Sequence, residues 1–368
     1  MINVIDLFSG AGGLTFGFQK KIENNVFVSR EDFNIRFANE FNSDAAEAFR
    51  QNYPKITMIE DDIANIDKLF LKKNGINFKG VDLVIGGPPC QSFSTVGKRQ
   101  YDKRAKMYRE YRRILSFIQP KMFVFENVYG LLTMKNEQNG PIIRNVKESF
   151  KDLSSFGDVH GYKVYTKLLN AKDYGVPQNR ERIYIVAFRN DVAPVNFKFP
   201  HKTDDTKVIS DIVEEKEVSS KYYLSTTYLE SLKKHKERHI SKGNGFGYEI
   251  RASDSVAGAI VCGGMGRERN LIIDKRLSDF TPITHIKGEV NREYIRKMTP
   301  REWARLQGFP NDFKFVVADT HLYKQFGNSV TVPVIRAIAE EIKKCLHQEK
   351  IEEYQNEVNY EQLSIMWG

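Results

Sequence analysis

The stretch "DLFSGAGGLTFGF", residues 6–18, follows from the apolar run "INVIDLF" (2–8) and passes through Gly10, Gly12 and Gly13 into a helical segment. A strand that turns through glycines into a helix is the opening unit of a doubly wound α/β sheet. The glycines allow close backbone approach, and the first turn of the helix offers unpaired amides to a ligand. The spacing F-x-G-x-G-G is not the G-x-G-x-x-G of dinucleotide binders, in which a pyrophosphate rests on the helix. It tilts the choice toward a cofactor with a carboxylate and no phosphate, and a nicotinamide oxidoreductase fails on this spacing.

Four further runs resemble strands buried on both faces: "FNIRFANE" (33–40), "VDLVIGG" (81–87), "MFVFENV" (122–128) and "RIYIVAF" (182–188). Between them, "SDAAEAFRQNY" (43–53) and "MYREYRRILSFI" (107–118) have helical spacing. This alternation predicts a doubly wound, mostly parallel sheet of α/β class, with ligands gathered at the carboxyl ends of its strands. Asp6, Glu40, Asp62, Cys90 and Glu126 all fall at or just past such ends. Glu40 is placed to hold ribose hydroxyls. Asp62 is placed to accept from an adenine amine, or else to serve as a loop acid or helix cap.

Beyond residue 190 the texture changes. Residues 191–295 are charged, with "KKHKERH" (233–239) and the glycine-bearing stretches "KGNGFGY" (242–248) and "VCGGMGRERN" (261–270), and they lose the alternation. This predicts a second, smaller lobe over 191–310. In "TPREWARLQGFP" (299–310) Thr299 is the N-cap, Pro300 opens the helix, and Gly308 and Pro310 end it. The chain then returns to the first lobe over 311–348, where Val334, Ile338, Ile342 and Leu346 share a helix face, and a charged tail covers 349–368.

The 368 residues suit one large core plus a smaller unit. Lys and Arg number 56 against 47 Asp and Glu, for a net charge of +9 and a pI near 9.1, which suits a polyanionic partner such as nucleic acid. Three cysteines, Cys90, Cys262 and Cys345, lie too far apart for a disulfide framework or a metal-binding spacing. A reducing cytoplasm is the expected compartment. The start of the chain has no basic lead before a long apolar run, and no segment approaches the ~18 apolar residues of a membrane span, so no membrane partner is expected.

In "GGPPCQSFS" (86–94), Pro88 and Pro89 stiffen the turn that carries Cys90. A thiol attacks as thiolate, and a fixed backbone aims it where a flexible loop would not. Glu126 ends an apolar strand, where partial desolvation raises a carboxyl toward the range useful for general acid catalysis. Arg180 and Arg182 share a face if extended; one could hold an electronegative oxygen near the thiol and the other brace the glutamate.

The ordered set "DLFSGAGG", "GGPPCQSFS", "ENV", "QNRERIY", "TPREWARLQGFP" and "QFGNSV", spread over residues 6–330, resembles the DNA (cytosine-5) methyltransferases of bacterial restriction-modification type. The resemblance implies a Rossmann-like methyltransferase sheet with a target-recognition lobe, S-adenosyl-L-methionine as cofactor, and double-stranded DNA as substrate. By matching motif residues, Cys90 attacks carbon 6 of a flipped cytosine, Glu126 engages ring nitrogen 3 and the exocyclic amine, Arg182 contacts the base and Arg180 supports it. The cofactor is expected at Phe8, Gly10, Gly12, Gly13, Leu14, Glu40, Asp62, Ile63, Pro88, Asn328 and Ser329, and no metal is expected. DNA contacts are expected from Ser92, Ser94, Lys98, Arg99, Lys103 and Arg104, with Arg267 and Arg269 as guanine readers. For the later arginines, Arg112 or Arg113, a solvated helix face is the favoured reading.

Three departures from the family pattern stand out. The loop after the cysteine reads "DKRA" (102–105) in place of D-P-R-G. Ala259 and Ile260 stand where the recognition region commonly has a threonine and a bulky aliphatic residue. The segment "KKIENNVFVSRED" (20–32) lengthens the path to Glu40. A transfer-RNA methyltransferase is the nearest rival, disfavoured by the roughly hundred-residue basic second lobe. A silent DNA-binding regulator would have lost the cysteine or the glutamate. A monomer and a cognate endonuclease acting on the same site complete the expected setting.

Overall fold

The computed structural model describes residues 1–24, 26–89, 107–135, 140–192, 196–263, 266–283 and 286–346. Cys90, Ser92, Ser94, Lys98, Arg99, Lys103, Arg104 and the "DKRA" segment lie outside the described residues, as does the 349–368 tail.

The sheet core is built from seven strands: β1 (Ile2–Leu7), β4 (Phe33–Glu40), β5 (Thr57–Glu60), β6 (Leu83–Gly86), β7 (Met122–Val128), β8 (Tyr162–Asn170) and β10 (Glu181–Arg189). A short hairpin, β2 (Lys20–Glu23) with β3 (Val26–Ser29), and the two-residue β9 (Gln178–Asn179) lie outside it. The strand order is β5-β4-β1-β6-β7-β10-β8. The first five strands run parallel, and β10 is antiparallel to both β7 and β8. The chain moves outward from β1 to β4 and β5, then returns to place β6 on the other side of β1. That reversal opens a crevice beyond the carboxyl ends of β1 and β6, where ligands bind in open α/β sheets.

Alternate residues of the central strands feed two cores. Val4, Leu83, Ile85 and Val124 join one with helix α1 (Gly13–Gln19), α2 (Ser43–Asn52) and the helix at 332–346. Ile5, Val84, Phe123 and Phe125 join the other with α4 (Met107–Ile118) and α6 (Ile142–Lys151); α3 (Lys68–Lys73) and the four-residue α5 (Gly130–Thr133) precede these two. Burial on both faces is why these strands read as unbroken apolar runs. The segment that lengthens the path to Glu40 is the β2–β3 hairpin, which leaves β4 in register beside β1.

The 191–295 region is more regular than its sequence suggests. It contains the 15-residue helix α7 (Thr226–Ile240), which buries only Leu229 and Leu232 and carries the "KKHKERH" run. Two small apolar clusters, Leu224 with Leu271 and Ile295, and Tyr223 with Leu277 and Val290, give this part its own interior. Its strands are β11 (Ala257–Gly258), parallel to β9, and the antiparallel pair β12 (Leu271–Ile273) and β13 (Ile295–Lys297). Helix α8 (Pro300–Leu306) begins at the expected N-cap Thr299, which also forms a capping box with Glu302, and its Trp303 and Leu306 pack in the large core beside β1 and α1. Met298 belongs to the same core, as do Ile209, Ile212, Ala257, Ile260 and Ile272 from earlier in the chain. Helix α9 (Asp319–Asn328) follows, and Val334, Ile338 and Ile342 of the final helix are buried against the sheet.

Candidate active site

The glycine loop is tied down from three directions. Gly10 N–H donates to Glu40 Oε2 at 2.8 Å, and Glu40 Oε1 accepts from Asn42 N–H at 2.8 Å. Tyr53 Oη–H donates to the Gly12 carbonyl at 2.8 Å, with its ring so close that a Cβ on Gly12 would lie 2.2 Å from Tyr53 Cε2. Gly12 also has φ +92°, so glycine is required on both counts. A Cβ on Gly13 would meet Ser329 Oγ at 2.5 Å, which places the "GNSV" turn against the loop. Phe8 is half-buried with φ +56°, while Leu14 and Ile63 point into the cores.

Asp62 is exposed and caps the short helix at Ile63–Asn65, its Oδ1 accepting from Ala64 N–H at 2.9 Å. The cap occupies one oxygen and leaves Oδ2 open. Arg113 braces this turn by donating to the carbonyls of Ile63 (2.7 Å) and Ile66 (2.8 Å). Arg112 donates to the Asp152 carbonyl and Ser155 Oγ. The expectation of a solvated face for these two arginines is thereby corrected: each is spent on holding a turn.

Asp6, Glu40 and Asp62 thus surround the loop, and none forms an ion pair among the described residues. The Glu40 and Asp62 side chains, with the Asp6 carboxyl buried beneath the loop, disfavour a pyrophosphate. They suit a cationic ligand that also carries hydroxyls and an amine, and S-adenosyl-L-methionine fits that donor set. Glu40 retains acceptor capacity on both oxygens, and burial raises its pKa against the opposing hydrogen bonds from Asn42 and Gly10.

The second wall is Glu126. A Cβ on Gly87 would lie 3.0 Å from Glu126 Oε2, so the carboxylate sits against the turn that leads to Cys90. Pro88, buried, has its carbonyl held by Asn127 Nδ2 at 3.3 Å. Arg182 Nε lies 3.3 Å from Glu126 Oε1. Burial raises the Glu126 pKa, with Arg182 and Arg180 pulling it back. A buried carboxyl held close to one cation can carry a proton to a ring nitrogen and remain charge-balanced after giving it up.

Arg180 takes a different part. Its guanidinium is buried and donates to the carbonyls of Ile260 (2.8 Å), Gly327 (3.1 Å) and Ser329 (2.7 Å). Of the two arginines, Arg182 is therefore the one that braces the glutamate. Ile260 N–H in turn donates to Gln178 Oε1 at 3.1 Å, and Gln178 Nε2 donates to the Leu306 carbonyl at 2.8 Å. Asn328 Oδ1 accepts from the Cys262 thiol at 2.9 Å. Arg269 is exposed and paired with Glu249 at 3.2 Å, and Arg267 lies 5.2 Å over the Tyr323 ring.

Sequence reasoning missed Tyr53, Arg113, Gln178 and Gln307. Gln178 lies inside the "QNRERIY" string, and Gln307 inside "TPREWARLQGFP", where its Nε2 donates to the carbonyls of Phe326 and Ser329. Tyr53 and Arg113 carried no motif signal. Their partners are 41 to 50 residues away in the chain.

Solved structures of the same topology include an Entamoeba histolytica methyltransferase, EhMeth (19% identity, TM-score 0.67, covering 94% of this chain and 99% of that one), and the Dnmt2 methyltransferase of S. pombe (20% identity, TM-score 0.64, covering 93% and 98%). At these identities the likeness establishes the fold, and the class it defines is the methyltransferase α/β fold. The sequence narrows the class. The family model of C-5 cytosine-specific DNA methylase matches residues 2–344. The chain is 45% identical over 349 residues to the Type II methyltransferase M.HpaII of Haemophilus parainfluenzae, covering 93% of this chain and 89% of that protein. It is 33% identical over 348 residues to M.NlaX of Neisseria lactamica, covering 94% and 97%. The chain belongs to the C-5 cytosine-specific DNA methylase family. Among the described residues, no helix is long and apolar enough to cross a membrane.

Proposed function

We propose that this protein methylates carbon 5 of one cytosine within a short duplex DNA sequence, as the modification partner of a restriction endonuclease. The observation that carries this reading is the placement of Glu126 and its Arg182 partner against the Gly87–Pro88 turn, directly before Cys90. S-adenosyl-L-methionine supplies the methyl group, held by Glu40 at its ribose hydroxyls and by Asp62 Oδ2 at its adenine amine. Asn328 and Ser329 border its amino-acid end.

The target base is rotated out of the stack into the crevice, at a cost of a few kcal/mol. Cys90 thiolate adds to carbon 6. Glu126 gives a proton to ring nitrogen 3 as electron density arrives, and Arg182 stabilises the carboxylate that remains. Carbon 5 takes the methyl group as the methyl–sulfonium bond breaks and leaves a neutral thioether. Loss of the carbon 5 proton to a base then expels the Cys90 thiolate, ring nitrogen 3 returns its proton to Glu126, and the neutral ring is restored. The basic segment at 98–104 and the lobe around α7 supply phosphate and base contacts, with Arg267 and Arg269 as candidate readers. Arg269 must release Glu249 to read a guanine. One site per chain on an asymmetric target fits a monomer in the cytoplasm, and the M.HpaII and M.NlaX names support the restriction-modification setting.

The test is adduct trapping on duplex DNA in which 5-fluorocytosine replaces cytosine, since fluorine cannot leave as the ring proton does. With S-adenosyl-L-methionine present, wild-type protein is expected to shift to a denaturant-stable DNA complex, and Cys90→Ser to give none while still binding cofactor. An equal yield of complex from Cys90→Ser would overturn the assigned nucleophile.

A further inference from the structure

Asp6 is fully buried under the glycine loop. Its Oδ2 accepts two hydrogen bonds from Thr15, from N–H at 3.1 Å and from Oγ1–H at 2.7 Å, so it serves as a remote cap for α1, whose own N-cap residue is Gly12. Its Oδ1 has no hydrogen-bond partner. An unpartnered oxygen on a buried acid is costly, and its retention calls for an explanation in what the site binds.

Among the described residues, every ionisable group that faces Asp6 is itself an acid. Glu40 lies across the loop on β4, Tyr53 follows α2 and donates to Gly12, and Tyr111 on α4 donates to the carbonyls of Val84 and Val124. Burial is the main cause that pushes the Asp6 carboxyl up to about 7; the Thr15 hydrogen bonds oppose it and the Glu40 charge adds to it. Close to neutrality the cofactor-free loop therefore rests on a carboxyl poised between two charge states.

We propose that Asp6 is a proton-linked positioning residue, neutral beneath the empty glycine loop and ionised when a cationic adenosyl ligand settles on it. The inference deepens the reading of the cofactor given above and rests on it. The balance is simple: the Asp6 O–H bond breaks, the proton passes to buffer, and the positive charge of the ligand takes its place. Attraction between a cation and a carboxylate exceeds that between a cation and a carboxylic acid, so binding must expel the proton at any pH where the carboxyl still holds one. Affinity for the ligand accordingly rises with pH from about 6 to 8 and levels off once the free carboxyl is already ionised.

Titration calorimetry of the full chain with S-adenosyl-L-methionine, at pH 6.5 in buffers of different ionisation enthalpy, reads the proton count directly. The expected release by wild type exceeds that of Asp6→Asn by a substantial fraction of a proton per ligand bound, because the buried carboxyl still holds its proton in much of the free protein at that pH. Taking the difference cancels any titration of the ligand. Thr15→Val removes one donor to the carboxylate and should move the release to higher pH, which keeps the idea testable if Asp6→Asn does not fold. Binding with heat independent of buffer, or equal release by wild type and Asp6→Asn, overturns the role of Asp6 and leaves the cofactor reading standing. No binding by wild type at any pH overturns the cofactor reading itself.

Discussion

Arg180→Lys isolates the link between the Ile260 segment, the end of α9 and the neighbouring Glu126–Arg182 pair. In the wild type one buried guanidinium joins Ile260, just past β11, to Gly327 and Ser329 at the end of α9, two residues from the arginine that pairs with Glu126. A hydrogen bond to a charged donor contributes about 1.5–3 kcal/mol, and a lysine ammonium on a flexible stem can serve at most one of these three carbonyls in line. Losing two such bonds removes about 3–6 kcal/mol, shared between seating of the Ile260 segment and overall stability. If half of it falls on the site, kcat/KM drops by roughly tenfold to a hundredfold or more. Burial, with the like charge of Arg182 adding to it, already lowers the Arg180 pKa to about 9, and a lysine in the same place loses its charge more readily. The assay is initial-rate methylation of plasmid DNA alongside a thermal melt and cofactor binding at the same temperature. A variant within threefold of wild type in kcat/KM and unchanged in Tm would refute the role given to Arg180.

Glu126→Gln keeps the shape of the wall but cannot deliver the proton, so turnover should fall by about 10²-fold or more while cofactor binding stays within a few-fold, measured by single-turnover methylation and calorimetry. Gly12→Ala forces a Cβ into Tyr53 and a left-handed backbone onto an L side chain, for a loss of about 2–5 kcal/mol by denaturant melt. Adding Tyr53→Leu should recover only the steric part. Asp274 would be pushed up by burial, but hydrogen bonds from Arg276 and Arg296 hold it at about 2, below its unfolded value near 3.8. Its stabilisation is therefore complete above about pH 4 and lost as pH falls toward 2. Urea melts of wild type and Asp274→Asn should differ at pH 6 and converge by pH 2, and a gap that stays constant with pH would contradict the assignment.

The central strands were legible because burial on both faces leaves unbroken apolar runs, and the switch-point crevice followed from strand and helix alternation. Edge strand β8 escaped because its exposed face carries Lys163 and Lys167, which break the apolar signal. Helix α7 escaped because only Leu229 and Leu232 are buried among charged neighbours. Residue types and strand ends singled out Glu40, Asp62 and Glu126, which the structure places beside the glycine loop and the Gly87–Pro88 turn. The division of labour between Arg180 and Arg182 was not legible, since the acceptors of Arg180 lie 80 to 149 residues away and no local spacing encodes them. The loop-acid alternative for Asp62 was partly right, because a carboxylate has one oxygen to cap Ala64 and another to spare.

The most direct test of site-specific cytosine methylation is bisulfite sequencing of plasmid and chromosomal DNA from a methylation-deficient bacterial host that expresses this chain. The predicted result is protection of one cytosine within a single short sequence, present with wild type and absent with Cys90→Ser. Unprotected DNA from cells whose purified protein binds S-adenosyl-L-methionine would contradict it and turn the search to RNA.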